Sequence, residues 1–214
     1  MGKSVQSDNF KQFKEFKQSE RYQAIVELID KANREDIEFE EWQGESHPKR
    51  YLYGLRMSQT LEAFEPEASE ALSIAVRAQH IYRWKVPRSS YPLGRSGYLQ
   101  WRTYLKGYHA EQIGLLMEPV GYSLEEVEQV QLILSKKHLK THADTQTLED
   151  IICLVFLQYN FPAFAAGDIA KDEDKLLNII HRTWKKMSAK GNQAALKLNY
   201  SEDSLNLLKK ALDL

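Results

Sequence analysis

The stretch LEDIICLVFLQYNF, residues 148–161, decides the fold because it is apolar almost all round when it is drawn as a helix. A helix that is hydrophobic on almost every side is buried, so the stretch predicts the central helix of the molecule. It contains Cys153, the only cysteine of the chain, whose apolar neighbours indicate a buried structural thiol. A single cysteine excludes a disulfide within the chain and a cysteine-rich zinc site.

Helical patterns dominate the rest of the chain, and no sustained alternation of polar and apolar residues indicates strands. We therefore predict an all-α fold: a tail over residues 1–18, then a single compact helical domain over residues 19–214. One long loop rich in Pro, Gly and Ser is expected at residues 87–97, and an acidic connector at residues 34–45. The other helices are predicted around residues 22–29 and at residues 48–64, 67–82, 98–118, 123–134, 173–187, 193–198 and 201–212, with a capping box of Ser123 and Glu126 at the start of one of them.

Length and charge limit the classes of function. The chain has 214 residues, enough for one sizeable core. Its 29 Lys and Arg nearly cancel its 30 Asp and Glu, so a basic site must be local. No apolar stretch approaches the ~20 residues that span a bilayer, and the first residues are too charged for a signal peptide. We expect a cytoplasmic protein without a membrane partner, and the sequence leaves its oligomeric state open.

Three histidines and one aspartate form a pattern along the chain. They stand at helix ends or on predicted helices, at His47, His80, His109 and Asp150. Imidazole and carboxylate groups are ligands of divalent metal ions and general acids or bases. Each histidine alone also fits a satisfied core or surface side chain. Asp150 has a rival explanation as well, because an acid three residues after Thr147 is a common helix start.

The order of these residues resembles the HD-domain superfamily of helical metal-dependent phosphohydrolases. In that superfamily a first His begins one helix, a His-Asp pair ends another, and a further Asp lies on a later helix. The resemblance implies an HD-like bundle that binds a divalent ion, Mn, Mg, Fe or Co, with catalysis by His80, His109 and Asp150 and with metal ligands His47, His80, His109 and Asp150. Here Ile81 follows His80, where the superfamily has its bridging aspartate; Glu111 or Glu149 would have to replace that carboxylate.

A second signal is the mixture of arginines and aromatic residues between residues 83 and 102. Arginine forms bidentate hydrogen bonds with phosphate, and exposed aromatic rings stack on bases. We therefore predict a site for a nucleotide or an RNA end, with phosphate bound by Arg83, Arg88, Arg95 and Arg102, and a base stacked on Trp84, Tyr91 or Trp101. The alternative is that these rings belong to the core and that the arginines pair with acids.

Four stretches carry a resemblance to an uncharacterised family catalogued as a domain of unknown function: AVRAQHIYRWKVPRSSYPLGRSGYLQWR, KGYHAEQ, TLEDIICLVFL and TWKKMS. Members of that family sometimes carry a glutamyl-tRNA synthetase label. The chain has the triplet Lys186-Met187-Ser188 that such synthetases share, but it has neither their HIGH-type motif nor alternating strands and helices. We reject the synthetase interpretation.

These patterns predict a divalent-metal-dependent phosphohydrolase that acts on a nucleotide or a related phosphorylated small molecule. The first alternative is a protein that binds a nucleotide or RNA, such as a tRNA end, without catalysis. The second alternative is a di-iron oxygenase of the HD type.

Overall fold

A computed structural model of the chain describes residues 16–17, 19–167 and 172–213. Helices make up 73% of the structure and strands 4%, which confirms the predicted all-α class. The chain forms two compact units, Met1–Leu139 and Lys140–Leu214. The single domain predicted over residues 19–214 stays a prediction, and most of the tail predicted over residues 1–18 lies outside the described residues.

The first unit contains five α-helices in its described part. They are α1 (Glu20–Arg34), α2 (Lys49–Phe64), α3 (Glu70–Arg77), α4 (Gly94–Met117) and α5 (Leu124–Leu134). Helix α3 is short and almost entirely buried, and it contacts α1, α2 and α5, while α4 packs along α5. The core therefore forms around α3, with side chains such as Ile29, Met57, Ile74 and Ile113 fully buried.

The predicted capping box at α5 is confirmed. The Ser123 hydroxyl accepts the N–H of Glu126, and the Glu126 carboxylate accepts the N–H of Ser123. Ser19 and Ser69 cap α1 and α3 in the simpler way, each accepting a backbone N–H three residues further along. These caps satisfy amide groups that would otherwise be unpaired at the helix starts.

A β-hairpin replaces part of the predicted acidic connector. Strand β1 (Phe39–Trp42) pairs antiparallel with β2 (Glu45–Pro48), so that Trp42 lies opposite Glu45. The turn residues Gln43 and Gly44 have φ values of 54° and 84°. Positive φ at both positions is typical of the tight turns that match the twist of paired strands. The sequence analysis predicted a connector here and no strands, so the hairpin was missed.

The segment after α3 differs from its prediction as well. The helix ends at Arg77 rather than near Tyr82, and a turn follows in which Tyr82 has a φ of 50°. Helix α4 begins at Gly94, which shortens the predicted loop. At Gly97 a Cβ atom would lie 1.9 Å from the carbonyl oxygen of Pro92, so this close contact requires glycine.

The second unit is built around the apolar stretch at residues 148–161. Helix α6 (Ala143–Val155) continues through a π-helical turn, Phe156–Asn160, into α7 (Phe161–Ala166). Helices α8 (Glu173–Lys186), α9 (Ala189–Ala195) and α10 (Glu202–Leu212) complete the described part of the unit. Helix α6 contacts α8 and α9, and Leu148, Ile151 and Leu154 are buried, as predicted for a core helix.

The same helical run has a length that the sequence analysis did not anticipate. Ala143–Ala166 spans 24 residues and is long and apolar enough to cross a membrane by length and composition. Half of its most apolar window is buried inside the structure, and the core helix of a globular protein passes the same test.

Candidate anion-binding site

Two of the predicted site histidines lie side by side in the first unit. His80 stands in the turn after α3 and His109 on α4, and their ring centroids are 6.1 Å apart. His109 is 4% exposed, and His80 is half-buried with the ring of Tyr53 stacked on it at 4.1 Å. The rings of these two predicted site residues therefore lie near each other within a single unit.

The hydrogen bonds of His109 fix its tautomer. Its Nδ1 lies 2.7 Å from the carbonyl oxygen of Ile81, and a carbonyl only accepts, so Nδ1 carries a proton and donates it. In the neutral ring Nε2 is then an acceptor, and this buried atom has no hydrogen-bond partner among the described residues. The Nδ1 atom of His80 is likewise buried without a described partner. Two polar atoms of the pair are thus left without a hydrogen bond.

The guanidinium group of Arg83 lies beside the histidine pair. Its carbon atom is 4.4 Å from the centroid of the Trp101 ring, which is held in turn by a hydrogen bond of 2.9 Å from Nε1 to the carbonyl of Val86. No acid within the described part of the chain forms an ion pair with Arg83. Burial, and then the positive charge of Arg50, lower the pKa of Arg83 to about 10.

Positive charges surround both imidazoles. Burial and then the charges of Arg83, Arg50 and Lys136 together lower the pKa of His109 to about 3, against the hydrogen bond to the Ile81 carbonyl, which raises it. Burial also lowers the pKa of His80 well below its usual value, with the same cations acting on it. We call Arg50, His80, Arg83, His109 and Lys136 the cationic cluster. Its two imidazoles are neutral near pH 7 and its other members are cations, of which Arg50 forms ion pairs with Asp36 at 3.8 Å and Glu38 at 3.4 Å.

The donor set of the cationic cluster does not favour a metal ion. Within the described ranges, no group of three or more His, Cys, Asp or Glu side chains could hold one. Two neutral imidazoles without a carboxylate do not neutralise the charge of a divalent cation. The arginine and lysine side chains beside them repel it. The predicted ligand His47 lies on β2, where its Nε2 is 3.6 Å from the Glu45 carboxylate and its ring is 6.1 Å from that of Trp42.

Asp150 belongs to the second unit and is fully engaged there. This carboxylate is 2% exposed, and it accepts the backbone N–H of Ser188 at 2.7 Å and the Ser188 hydroxyl at 2.5 Å. Gln146 donates to it at 3.0 Å and also donates to the carbonyl of Lys186. Asp150 therefore fixes the start of α9 to α6. Its predicted role as a metal ligand or catalytic acid stays a prediction.

The other predicted phosphate-binding arginines occupy three different settings. Arg88 donates to the carbonyl oxygens of Tyr91, Pro92 and Gly94 at 2.9, 2.8 and 3.3 Å, which holds the loop before α4 closed. Arg95 is exposed in the first turn of α4. Arg102 is half-buried, lies 5.7 Å from the ring of Tyr98 and is close enough to lower the pKa of Arg83.

The predicted stacking rings also differ in their surroundings. Trp101 forms one wall of the site under Arg83. Trp84 is half-buried, and its Nε1 is a buried donor without a described acceptor, while Lys85 lies 5.1 Å from its ring. Tyr91 is 6.3 Å from Tyr104, whose ring stacks on Tyr108 at 5.9 Å.

Sequence reasoning missed three members of the site: Arg50, Tyr53 and Lys136. Arg50 and Tyr53 lie in the first turns of α2, and Lys136 follows α5 with a φ of 55°. Helical spacing puts Arg50 and Tyr53 on one face, which was a usable signal. Nothing in the local sequence connects Lys136 to a histidine on another helix.

Comparison with known proteins places the chain within one family. A family model described as a domain of unknown function, DUF4202, matches residues 23–208. No significant match was found among curated proteins or among solved structures. The matched range includes all four stretches on which the sequence-based resemblance rested.

Proposed function

The chain belongs to the family described as domain of unknown function DUF4202, and we propose that it binds a phosphorylated small molecule at its cationic cluster. One observation carries this proposal. Arg83 is a half-buried guanidinium group next to two other arginines, and no described carboxylate pairs with it. A half-buried guanidinium group that contacts an aromatic ring but no described carboxylate keeps an unmet cost of desolvation. A bound anion would offset that cost.

Phosphate suits the cluster better than a singly charged anion does. A phosphate group has two negative charges near neutral pH and several acceptor oxygens, so it can take hydrogen bonds from more than one guanidinium group. Arg83, in the turn after α3, and Arg50, at the start of α2, both act electrostatically on the imidazoles, but Arg50 also forms ion pairs with Glu38 at 3.4 Å and Asp36 at 3.8 Å, so Arg83 is the principal candidate donor. The buried Nδ1 of His80 lacks a described partner and could donate to a phosphate oxygen in the tautomer that protonates it, whereas the buried Nε2 of His109 is an acceptor and pairs only with a protonated ligand oxygen or a hydroxyl.

Metal-dependent phosphohydrolysis is the second candidate, favoured by the tautomer of His109. A histidine that donates Nδ1–H to a backbone carbonyl and leaves Nε2 free has the arrangement common among metal ligands. A divalent ion there would supply an activated water, but no carboxylate joins the two imidazoles among the described residues. The oxygenase alternative needs still more ligands. We therefore rank binding above hydrolysis.

The proposal is tested by the melting temperature of the full-length protein with added phosphate, sulfate or AMP, against sodium chloride at equal ionic strength. A ligand present at about 100 times its Kd adds ~2.7 kcal/mol of stability. For a protein of this size we expect the melting temperature to rise by about 5–10 °C. An unchanged melting temperature with all three ligands would overturn the proposal.

Two substitutions make the test specific. Arg83→Gln should abolish the response to phosphate, because it removes the guanidinium group at the centre of the proposed site, and its ligand-free melting temperature reports separately the loss of the contact with the Trp101 ring. Arg182→Gln, which changes an exposed arginine of α8, is the matched control and should respond as the wild type does. A full phosphate response in Arg83→Gln would show that the anion binds elsewhere.

Hydrolysis has its own test. Protein purified without chelators should be analysed for metal, and AMP and other phosphate monoesters should be offered with Mn, Mg, Fe or Co. Turnover that requires added metal and disappears in His80→Ala and His109→Ala would place hydrolysis first. Binding without turnover supports our ranking.

A further inference from the structure

An exposed aromatic ring lies next to the cationic cluster in the first unit. Tyr98, in the first turns of α4, is 43% exposed, and its ring centroid is 6.2 Å from that of Trp101. Trp101 in turn has the guanidinium group of Arg83 on its ring at 4.4 Å. Tyr98, Trp101 and Arg83 therefore form a continuous series of neighbours that leads from an exposed ring to the candidate phosphate site.

The two aromatic rings of this series are not equally available. Trp101 is half-buried, its indole N–H is used by the Val86 carbonyl, and Arg83 covers part of its ring. Tyr98 has the larger free surface, and the Arg102 guanidinium group lies 5.7 Å from its ring.

From this arrangement we infer that the ligand is a nucleoside monophosphate unit, with its base stacked on Tyr98 and its phosphate at Arg83. The inference rests on the proposed function and adds the chemical class of the ligand. Every base has a planar face that stacks on tyrosine, so the stacking itself does not select one base. The same unit could be a free nucleotide or the phosphorylated end of an RNA.

The contribution of the base is measured by comparing AMP with ribose 5-phosphate, which lacks the base and keeps the phosphate. Stacking of a base on an aromatic side chain contributes about 1–3 kcal/mol, or about 5- to 150-fold in Kd. We expect wild-type protein to bind AMP tighter than ribose 5-phosphate by a factor in this range. Tyr98→Ala should abolish the difference and keep the Kd for ribose 5-phosphate, whereas Tyr98→Phe should keep the difference.

Tyr104→Ala is the matched control, because Tyr104 is 51% exposed on the same helix but belongs to the group of rings with Tyr91 and Tyr108. It should bind both compounds as the wild type does. Equal affinity of the wild type for AMP and ribose 5-phosphate would overturn this inference and leave the proposed function intact. Failure of both compounds and of inorganic phosphate to bind would overturn the proposed function itself.

The source of the nucleotide is decided by a third ligand, a short single-stranded RNA with a 5′-phosphate. Tighter binding of this RNA than of AMP, with a steep loss of affinity as salt is added, identifies an RNA end. Equal or weaker binding of the RNA identifies a free nucleotide. In both cases the Tyr98→Ala variant should lose the part of the binding affinity that comes from stacking of the base.

Discussion

The hydroxyl of Ser188 donates a hydrogen bond of 2.5 Å to one oxygen of the Asp150 carboxylate, and the backbone N–H of Ser188 donates one of 2.7 Å to the other. Ser188 is also the N-cap of α9, where its hydroxyl accepts the N–H of Gly191. The two residues thus connect the core helix of the second unit to the start of a later helix. Asp150 has a structural role that accounts for its burial.

Asp150→Ala should destabilise the protein strongly and leave phosphate affinity unchanged. Ser188 and Gln146 would lose a buried charged acceptor, which costs about 1.5–3 kcal/mol for such hydrogen bonds. Urea denaturation followed by circular dichroism measures the loss. The control Asp203→Ala removes an exposed acid from the first turn of α10 and should cost less than about 1 kcal/mol. Loss of phosphate binding in folded Asp150→Ala would return Asp150 to the functional site.

Gly191→Ala should also destabilise the second unit, although alanine favours helices. A Cβ atom at this position would lie 2.8 Å from the carboxylate carbon of Asp150 and 3.1 Å from the Cβ of Met187. Gly107→Ala on α4 is the matched control, because no atom lies within 4 Å of its added Cβ. There we expect a gain of up to about 1 kcal/mol from helix propensity. Similar effects of the two substitutions on the free energy of unfolding would contradict the described packing of α9.

The ion pair of Arg77 and Asp30 is buried, so we expect the removal of one partner to destabilise the first unit more than the removal of both. The arginine donates to both carboxylate oxygens, at 2.7 and 2.6 Å, and each residue is 8% exposed. Arg77→Met alone should cost about 3–5 kcal/mol, because it leaves a buried carboxylate without its partner. The double variant Asp30→Leu, Arg77→Met should recover part of that loss in a double-mutant cycle. A double variant as unstable as the sum of the two single variants would contradict a coupled pair.

Acid should destabilise the ligand-free protein through His109. Burial and nearby cations lower its pKa to about 3, below the ~6.5 of an unfolded chain. Between those two values the unfolded state binds a proton that the folded state does not. The contribution of the neutral His109 ring to the free energy of unfolding is therefore complete above pH 6.5 and is lost as the pH falls toward 3. Between pH 7 and pH 5 we expect a loss of about 2 kcal/mol from this residue.

The pH dependence of the free energy of unfolding measures this effect in urea titrations. His109→Gln should have a shallower decline between pH 7 and pH 5 than the wild type, whatever its stability at pH 7. His181→Gln changes an exposed histidine of α8 and should keep the wild-type slope. An unchanged slope in His109→Gln would mean that His109 does not stay neutral as described.

The helices were predictable where a local stretch of sequence shows where the helix starts or which of its faces is buried. The capping box before α5 and the apolar residues of α6 are of this kind. The β-hairpin was missed because its strands are four residues each, too short for an alternating pattern to stand out. The turn pair Gln43-Gly44 was the one local signal of that hairpin.

The candidate site was only partly predictable, because it is assembled from side chains far apart in sequence. His80 and His109 were identified from their unusual neighbours, and their rings lie together. Arg50 and Lys136 contribute charge through space, which no periodicity reports. Arginine is a common phosphate ligand, yet the hydrogen bonds of Arg88 go to carbonyl oxygens of its own loop. Residue type alone cannot distinguish these two uses of an arginine.

The most direct test of phosphate binding at the cationic cluster is NMR of side-chain nitrogens in protein labelled with ¹⁵N at histidine and arginine, during titration with inorganic phosphate. Signals are assigned with His80→Gln, His109→Gln and Arg83→Gln. We predict that the ring nitrogens of His80 and His109 and the Nε of Arg83 shift together and saturate at one Kd, while the exposed His181 and Arg182 of α8 do not shift. Saturable shifts confined to other residues, or no shift in these three side chains at saturating phosphate, would contradict the account.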